Sequence, residues 1–228
     1  MNFRDIIGNV IKTFIKPGEL FKKTKENKQN WILPLAFIIF IYLFGSYLLL
    51  PSLILPEHLS KLNAVTYLGQ QEKEAALAYF NSSFHKFSTL LSTAFPRIIY
   101  YPVLSFFLTL LPLLFGGKPV KYFRIFSAIV YTGIINSIGF MIDTFLKLKY
   151  QTLDIGLNLA LFFKSSNIFI NSLLGKINIF DFWQIILLII LISVYYDYNK
   201  RKSSFIILNS WILIKVISAY FTYLKVII

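Results

Sequence analysis

Residues 31–56 read WILPLAFIIFIYLFGSYLLLPSLILP and contain no charged side chain. About 20 apolar residues in a helix are enough to cross a hydrocarbon core of roughly 30 Å. Two further uncharged runs, 98–117 and 125–142, are close to that length. The sequence therefore predicts an all-α, polytopic integral membrane protein whose helices form a bundle.

The composition of the chain supports this prediction. Hydrophobic residues make up 57% of the 228 residues and charged residues only 14%, whereas about 25% of a typical soluble domain is charged. The net charge of +13 would also suit a nucleic-acid-binding protein, but no recognition motif accompanies it. We therefore expect membrane lipids, and no nucleic acid, among the partners. The absence of cysteine excludes disulfides and thiol catalysis.

We predict five transmembrane helices, with an outside loop at 56–92 and an outside segment at 147–181. The helices are expected at 31–55, 93–115, 125–146, 182–198 and 204–228. Lysine and arginine concentrate on the cytoplasmic side of membrane proteins. Residues 1–30, 116–124 and 199–204 carry thirteen of them in 45 residues, and the other side carries seven in 72. We therefore expect a multi-pass protein of the cytoplasmic (inner) membrane, with its N-terminus inside and its C-terminus outside.

Residues 1–30 are predicted to form interfacial amphipathic helices on the cytoplasmic side. Apolar residues recur at helical spacing from Phe3 to Phe14, and Pro17 ends this first helix. In a second short helix, we expect Leu20 and Phe21 to enter the membrane interface. Four lysines are expected to stay in water: Lys22, Lys23, Lys25 and Lys28. They either only enforce orientation or form a docking surface for anionic lipid or an acidic protein patch.

The segment 153–180 leaves the number of spans open. Residues 155–175 are apolar enough for a sixth span, which would bring the C-terminus inside, but Lys164 would lie at its centre. A lysine at the bilayer centre costs about 2.5–3.5 kcal/mol on insertion scales. We therefore expect two short surface helices here, with a polar turn at 164–167.

Six short motifs, in this order along the chain, are similar to those of a known family. They are FIKPGELFKK (14–23), NWILPL (30–35), FGGKPVKYFRIFSAIVYTGI (115–134), LNLALFF (157–163), NIFDFWQIILLIILIS (178–193) and NKRKSS (199–204). They resemble the bacterial branch of the Yip domain family, which is named for eukaryotic relatives that bind Ypt/Rab small GTPases. The resemblance implies five spans with a cytoplasmic N-terminus, and it brings no catalytic residue. Because only thirty residues precede the first predicted span, we do not expect Rab-type binding.

Charged residues inside the predicted spans are the candidate functional residues, because a charge in a bilayer is costly. Arg97 and Asp143 are expected at similar depths in neighbouring spans, where they form either a structural ion pair or part of a substrate site. Lys215 is expected near the midplane, facing the bundle, a water-filled cavity or a lipid headgroup. His58 and His85 are interpreted as members of solvated helix faces. No metal site, cofactor or catalytic group is therefore predicted.

Two functions follow from these observations. The first is a non-enzymatic scaffold or adaptor that organises membrane proteins or lipids through its basic cytoplasmic face, with an anionic lipid or an unknown protein as partner. The second is a small transporter or lipid-handling protein that uses Arg97, Asp143 and Lys215 in a polar cavity. We expect Lys215→Leu to distinguish them, because a scaffold tolerates this change and a conduit loses activity.

Overall fold

A computed structural model describes residues 3–26, 30–65, 69–163 and 165–227. About 85% helix and no named strand are found in these ranges, and the only strand-like feature there is an isolated antiparallel bridge between Asn158 and Asn178. The predicted all-α fold is confirmed. Lys28 and Lys164 lie outside the described residues.

The described residues contain the following α-helices, in order along the chain. They are α1 (Phe3–Ile15), α2 (Pro17–Glu26), α3 (Ile32–Leu49), α4 (Leu55–Ala64), α5 (Gln70–Asn81), α6 (Ser83–Leu110), α7 (Tyr122–Tyr150), α8 (Ile168–Gly175), α9 (Ile179–Tyr196) and α10 (Lys200–Ile227). A π-helical segment, Leu50–Ile54, joins α3 to α4, and 3-10 turns lie at Leu111–Phe115 and Leu159–Leu161.

Five helical stretches are long and apolar enough to cross a membrane. They are Ile32–Ala64, Ser83–Phe115, Tyr122–Tyr150, Ile179–Tyr196 and Lys200–Leu224. The predicted number of five spans is confirmed. In the segment 155–175, the structure describes one 3-10 turn and the eight-residue helix α8, which is too short to span a bilayer.

Helix α7 is the centre of the bundle. It packs against α3, α6 and α9. In the apolar 18-residue stretch of α7, 72% of the residues are buried inside the protein, whereas the corresponding share in α10 is 17%. Glycines allow this close approach, since a Cβ added at Gly133 would lie 2.4 Å from the Tyr101 ring. Helix α10 packs against α8 and α9 and exposes large apolar side chains such as Phe205, Leu213 and Phe221. We assign these exposed side chains to lipid, because they are apolar and no described part of the chain covers them.

The N-terminal helices are part of the bundle. Helix α2 packs against α7 and α9, and Leu20 and Phe21 are fully buried there. The prediction that these two residues enter the membrane interface is therefore wrong, because protein and not lipid covers them. Tyr195 fixes this contact, since its hydroxyl lies 2.9 Å from Thr24 Oγ1 and donates to the Arg124 carbonyl. We call this end, with α2, the start of α7 and the α9–α10 turn, the basic end, and the opposite end the far end.

Candidate functional site

A polar cavity at the far end of the bundle brings the three predicted intramembrane charges together. Arg97 of α6, Asp143 of α7 and Lys215 of α10 all line it, with Asp181 and Lys176. The three residues lie more than 40 positions apart in sequence, and the packing of α6, α7, α9 and α10 places them within one site. The structure thus brings the three residues to one cavity, and their functional role stays a prediction.

Lys215 forms an ion pair with Asp181 at the start of α9. The distance from Lys215 Nζ to Asp181 Oδ2 is 2.6 Å, and the two side chains are only 20% and 15% exposed. Lys215 also donates to the Lys176 carbonyl at 2.6 Å. Because α10 begins at Lys200, Lys215 lies roughly 22 Å along the helix axis. This places it level with Asp181 in the first turn of α9, and its position near the midplane stays a prediction.

Asp143 is held by uncharged partners. Its Oδ1 accepts a hydrogen bond from the Leu157 backbone N–H at 2.7 Å, and its Oδ2 accepts one from Asn178 Nδ2 at 3.0 Å. Among the described residues, Asp143 makes no ion pair with Arg97 within 4.0 Å. The predicted pairing of these two residues is therefore wrong. Asp143 instead anchors the 152–178 segment to α7.

Arg97 lacks a carboxylate partner in the described part of the chain. Its guanidinium lies over the Tyr42 ring, 4.4 Å from the centroid, and it makes no ion pair within 4.0 Å among the described residues. A guanidinium carries five N–H donors arranged to hold a carboxylate or phosphate. The cavity therefore contains the Arg97 guanidinium, which is held against Tyr42 but has no carboxylate to neutralise its charge in the described part of the chain.

The cavity has two lobes of about 230 Å³ each. The lobe between α3, α7 and the 176–181 segment, called here the polar lobe, contains Asp143 and Asn178. The lobe between α6, α9 and α10, called here the amphipathic cleft, adds aliphatic side chains. Small-molecule pockets are typically about 300–1,000 Å³, so each lobe by itself is smaller than a typical ligand pocket. Larger depressions of about 610 and 500 Å³ elsewhere have no cationic residue in their lining.

A buried amide pair faces the cavity. Asn136 Nδ2 donates to Gln184 Oε1, and Gln184 is only 5% exposed. This leaves Asn136 Oδ1 and Gln184 Nε2 without hydrogen bonds to any described residue. Rotating both amides only exchanges donor and acceptor, so one of each stays free. Buried polar groups are rarely left unpaired, and these two atoms indicate a site built for a polar ligand or ordered water.

Sequence reasoning missed several lining residues although local signals exist for them. Asn178 and Asp181 form a capping box at the start of α9, because the Asn178 side chain accepts from Phe180 N and Asp181 accepts from Asn178 N. The pattern Asn-x-x-Asp before an apolar run is a recognised helix start. Asn136 and Gln184 are polar residues inside spans. Because a polar side chain is costly to bury in a membrane, these two residues can also be recognised from the sequence as candidate functional residues.

The lysines of the basic end have different surroundings. Lys22 is exposed, and Lys23 Nζ lies 3.4 Å from Asn9 Oδ1. Lys25 donates to the Val194 carbonyl and to Asp197 Oδ1, both at 2.8 Å. The expectation that Lys25 stays in water is therefore wrong, because it ties α2 to the end of α9. Lys28 lies outside the described residues.

Glu19 is one of the acidic residues of the basic end. It forms ion pairs with Lys16 at 3.0 Å and with Lys12 at 3.7 Å. The hydrogen bond from Lys16 holds the pKa of the Glu19 carboxyl below its ordinary value. Glu19 therefore stays ionised and neutralises part of the positive charge between α1 and α2.

The two histidines lie in a separate aromatic cluster. His85 is 9% exposed, its ring lies 5.6 Å from the ring of His58, and both pack against Phe80. The interpretation of His85 as part of a solvated face is therefore wrong. Within the described ranges, no group of three or more His, Cys, Asp or Glu residues is arranged to hold a metal ion.

Comparison with known proteins identifies the family. Among curated proteins and among solved structures, no match was found. The family model of the Yip1 domain matches residues 11–221, a range that includes α2, the first four spans, most of the fifth and the whole polar cavity. On this match over most of its length, the chain belongs to the Yip1 domain family.

Proposed function

We propose that this protein is a small lipid-handling or transport protein that binds an anionic group in its polar cavity. The observation that supports this most is the convergence of Arg97, Asp143 and Lys215 on one cavity at the far end of the bundle. Charges are costly inside a membrane and are usually found where they serve a ligand or ion. Binding and passage of a ligand, rather than catalysis, is the role that fits, and the Yip1 domain family is not a known enzyme family.

The charge of the cavity supports an anionic ligand. Three cationic residues, Arg97, Lys176 and Lys215, line it with two carboxylates, Asp143 and Asp181, which leaves one net positive charge (three minus two). Lys215 and Asp181 neutralise each other. The excess therefore lies at Arg97 and at the exposed Lys176. A phosphate or carboxylate supplies the missing partner for the Arg97 guanidinium.

The orientation of the cavity supports access from outside the cell. With the basic end in the cytoplasm, as the lysine and arginine distribution favours, the far end faces the outer surface of the inner membrane. The cavity then receives its ligand from the outer leaflet or from the external solution.

The test is native mass spectrometry of the full chain extracted into nanodiscs directly from its own membrane. We expect the wild-type particle to retain a defined anionic lipid or solute, and Arg97→Gln to lose it. Arg201→Gln is the matched control, because Arg201 is an exposed arginine at the basic end and its loss leaves the cavity unchanged. Equal retention in all three proteins, or no retained anionic molecule, would overturn the proposal.

A scaffold role through the basic end is the second candidate. This candidate is supported by the position of Lys22 on α2. The Lys22 side chain is exposed, whereas Leu20 and Phe21 beside it on the same helix are fully buried and hold the helix in place. An anionic lipid surface or an acidic protein patch then meets a fixed positive group. A stoichiometric protein partner that is lost in Lys22→Glu, and kept in Lys149→Glu at the far end, would favour this function.

A further inference from the structure

We infer that the ligand of the cavity is an anionic phospholipid, with its phosphate at Arg97 and one acyl chain in the amphipathic cleft. This inference rests on the proposed function and names the ligand class of the same site. Its basis is the way polarity changes along the cleft, the length of the cleft and its charge.

Polarity changes in the same direction on all three helices of the cleft. The far end of the cleft carries Arg97 on α6, Asp181 on α9 and Lys215 on α10. Towards the basic end, the same helices contribute aliphatic side chains, namely Leu104, Leu108, Leu188 and Ile207. A ligand that matches this lining has a charged head and an apolar tail.

The length of the cleft suits an acyl chain. From Arg97 to Leu108, helix α6 rises roughly 16 Å, and half of a hydrocarbon core of about 30 Å is about 15 Å. Arg97 lies near the middle of the helical stretch Ser83–Phe115, and the aliphatic end lies towards the basic end, where the Leu108 carbonyl accepts from the hydroxyl of Tyr196, the last residue of α9. An acyl chain whose head is bound at Arg97 therefore runs along the bundle towards the basic end.

The charge of the site favours a phosphodiester headgroup. The single net positive charge of the lining is matched by the one negative charge of a phosphodiester, and the Arg97 fork binds two phosphate oxygens. The unpartnered atoms of Asn136 and Gln184 lie beside the cleft and suit the polar ester region. Charge, hydrogen bonding and shape therefore point to the same class of molecule.

The cleft is reached from the side, through the lipid. Ile214 lines it and is 56% exposed, and its neighbours on α10, Leu213 and Ile217, are exposed as well. An acyl chain from the surrounding bilayer therefore passes α10 without crossing a polar barrier.

Titration of the purified, delipidated full chain in detergent tests this inference by native mass spectrometry. The probes are phosphatidylglycerol, phosphatidylcholine with the same chains, and glycerophosphoglycerol, which is the deacylated headgroup. The variants are Arg97→Gln, Ser210→Phe and Asn209→Phe. Ser210 lies in the middle of the cleft on α10, so a phenyl ring there fills the chain site and leaves the charged end intact. Asn209 is its exposed neighbour on the same helix and provides the matched control.

We expect wild type to bind one phosphatidylglycerol about tenfold more tightly than phosphatidylcholine, the size of effect that one charge-assisted contact gives. Arg97→Gln removes this preference. Ser210→Phe weakens both lipids about tenfold, and Asn209→Phe weakens neither. If Ser210→Phe does not fold, Ser210→Leu replaces it in the same comparison.

Other results separate the two proposals. Arg97-dependent binding of glycerophosphoglycerol, with no gain from acyl chains and no effect of Ser210→Phe, would overturn the lipid inference and leave the anion-binding function standing. Phosphatidylglycerol binding that is unaffected by the Ser210 variants would overturn the placement of the chain in the cleft. If no probe depends on Arg97, both the inference and the proposed function are wrong.

Discussion

Lys215 Nζ lies 2.6 Å from Asp181 Oδ2, and this ion pair joins the outermost helix of the bundle to the first turn of α9. Asp181 also accepts the Asn178 backbone N–H and so caps α9. The Asp181 carboxylate therefore has two roles: it pairs with Lys215 in the lining of the cavity, and it caps the first turn of the transmembrane helix α9. Any substitution at Lys215 consequently changes both the site and the stability of the bundle.

The first prediction concerns this ion pair. Lys215→Met leaves the Asp181 carboxylate without its cation, and we expect a loss of about 3 kcal/mol in the free energy of unfolding, because the charge left behind is largely desolvated. Asp181→Asn in the same chain removes that charge and keeps a side-chain oxygen for the cap. We expect the double variant to recover at least about 1 kcal/mol, measured by unfolding in detergent micelles.

This double variant also replaces Lys215→Leu as the test that separates a scaffold from a conduit. The single change destabilises either kind of protein, because Asp181 loses its partner. The neutral pair keeps the fold and removes the Lys215 charge from the cavity. If Lys215→Met alone is as stable as wild type, the ion pair contributes nothing and the first prediction is wrong.

The second prediction concerns the break in α6 at Pro112. Proline has no N–H, so the carbonyl four residues earlier, that of Leu108, loses its helical donor. The Tyr196 hydroxyl donates to this carbonyl at 2.9 Å and satisfies it. We expect Tyr196→Phe to cost about 1–3 kcal/mol, the penalty of an unpaired buried carbonyl. Thermal unfolding in detergent measures it.

The background Pro112→Ala provides the control for Tyr196→Phe. Alanine restores a backbone N–H within reach of Leu108, so the same tyrosine substitution then costs less. Equal costs in the two backgrounds would show that Tyr196 stabilises the bundle through packing and not through this hydrogen bond.

The third prediction concerns the glycine at the centre of α7. A Cβ at Gly133 would lie 2.4 Å from Tyr101 Cε1, and Tyr101 is only 1% exposed, so its ring has little space to move. We expect Gly133→Ala to destabilise the protein by about 1–3 kcal/mol through overpacking. The measurement is the midpoint of thermal unfolding in detergent.

Gly8→Ala is the matched control for Gly133→Ala. A Cβ at Gly8 meets nothing within 4 Å, and alanine favours the helix by roughly 0.5–1 kcal/mol over glycine. We therefore expect the two glycine-to-alanine changes to have opposite signs. A neutral Gly133→Ala would mean that α6 and α7 separate easily, contrary to the close packing seen at Tyr101.

The fold could be predicted from the sequence because a bilayer imposes a simple length rule on uncharged helices. The environment of α2 could not, since an amphipathic pattern is the same whether its apolar side meets lipid or protein. Leu20 and Phe21 are compatible with either environment. They are buried by protein because α2 packs against α9, a contact that the local sequence does not reveal. Burial of His85 depends in the same way on helices that are distant in sequence.

The cavity could be predicted in part. The cost of a charge in a membrane pointed to Arg97, Asp143 and Lys215, but their partners depend on helix register. Placing the fourth span at 182–198 left Asp181 outside it, whereas α9 begins at Ile179 and brings Asp181 to Lys215. Recognition of the Asn178–Asp181 capping box would have corrected that boundary from sequence alone.

The last prediction separates structural from surface lysines at the basic end. Lys25→Glu places a carboxylate against Asp197 and against the Val194 carbonyl at the end of α9, where both the charge and the helix dipole repel it. We expect a loss of about 1–3 kcal/mol in stability. Lys22→Glu carries the same charge change on an exposed side chain and is expected to stay within about 0.5 kcal/mol of wild type.

The binding of these two variants to vesicles that contain anionic lipid completes the comparison. If Lys22→Glu weakens binding with unchanged stability, Lys22 contacts the membrane or a partner, as the second candidate function requires. If only Lys25→Glu weakens binding, the effect arises from loosening of α2 and not from a docking surface. The two substitutions therefore have to be made separately, because a combined lysine-to-glutamate variant mixes loss of folding with loss of binding.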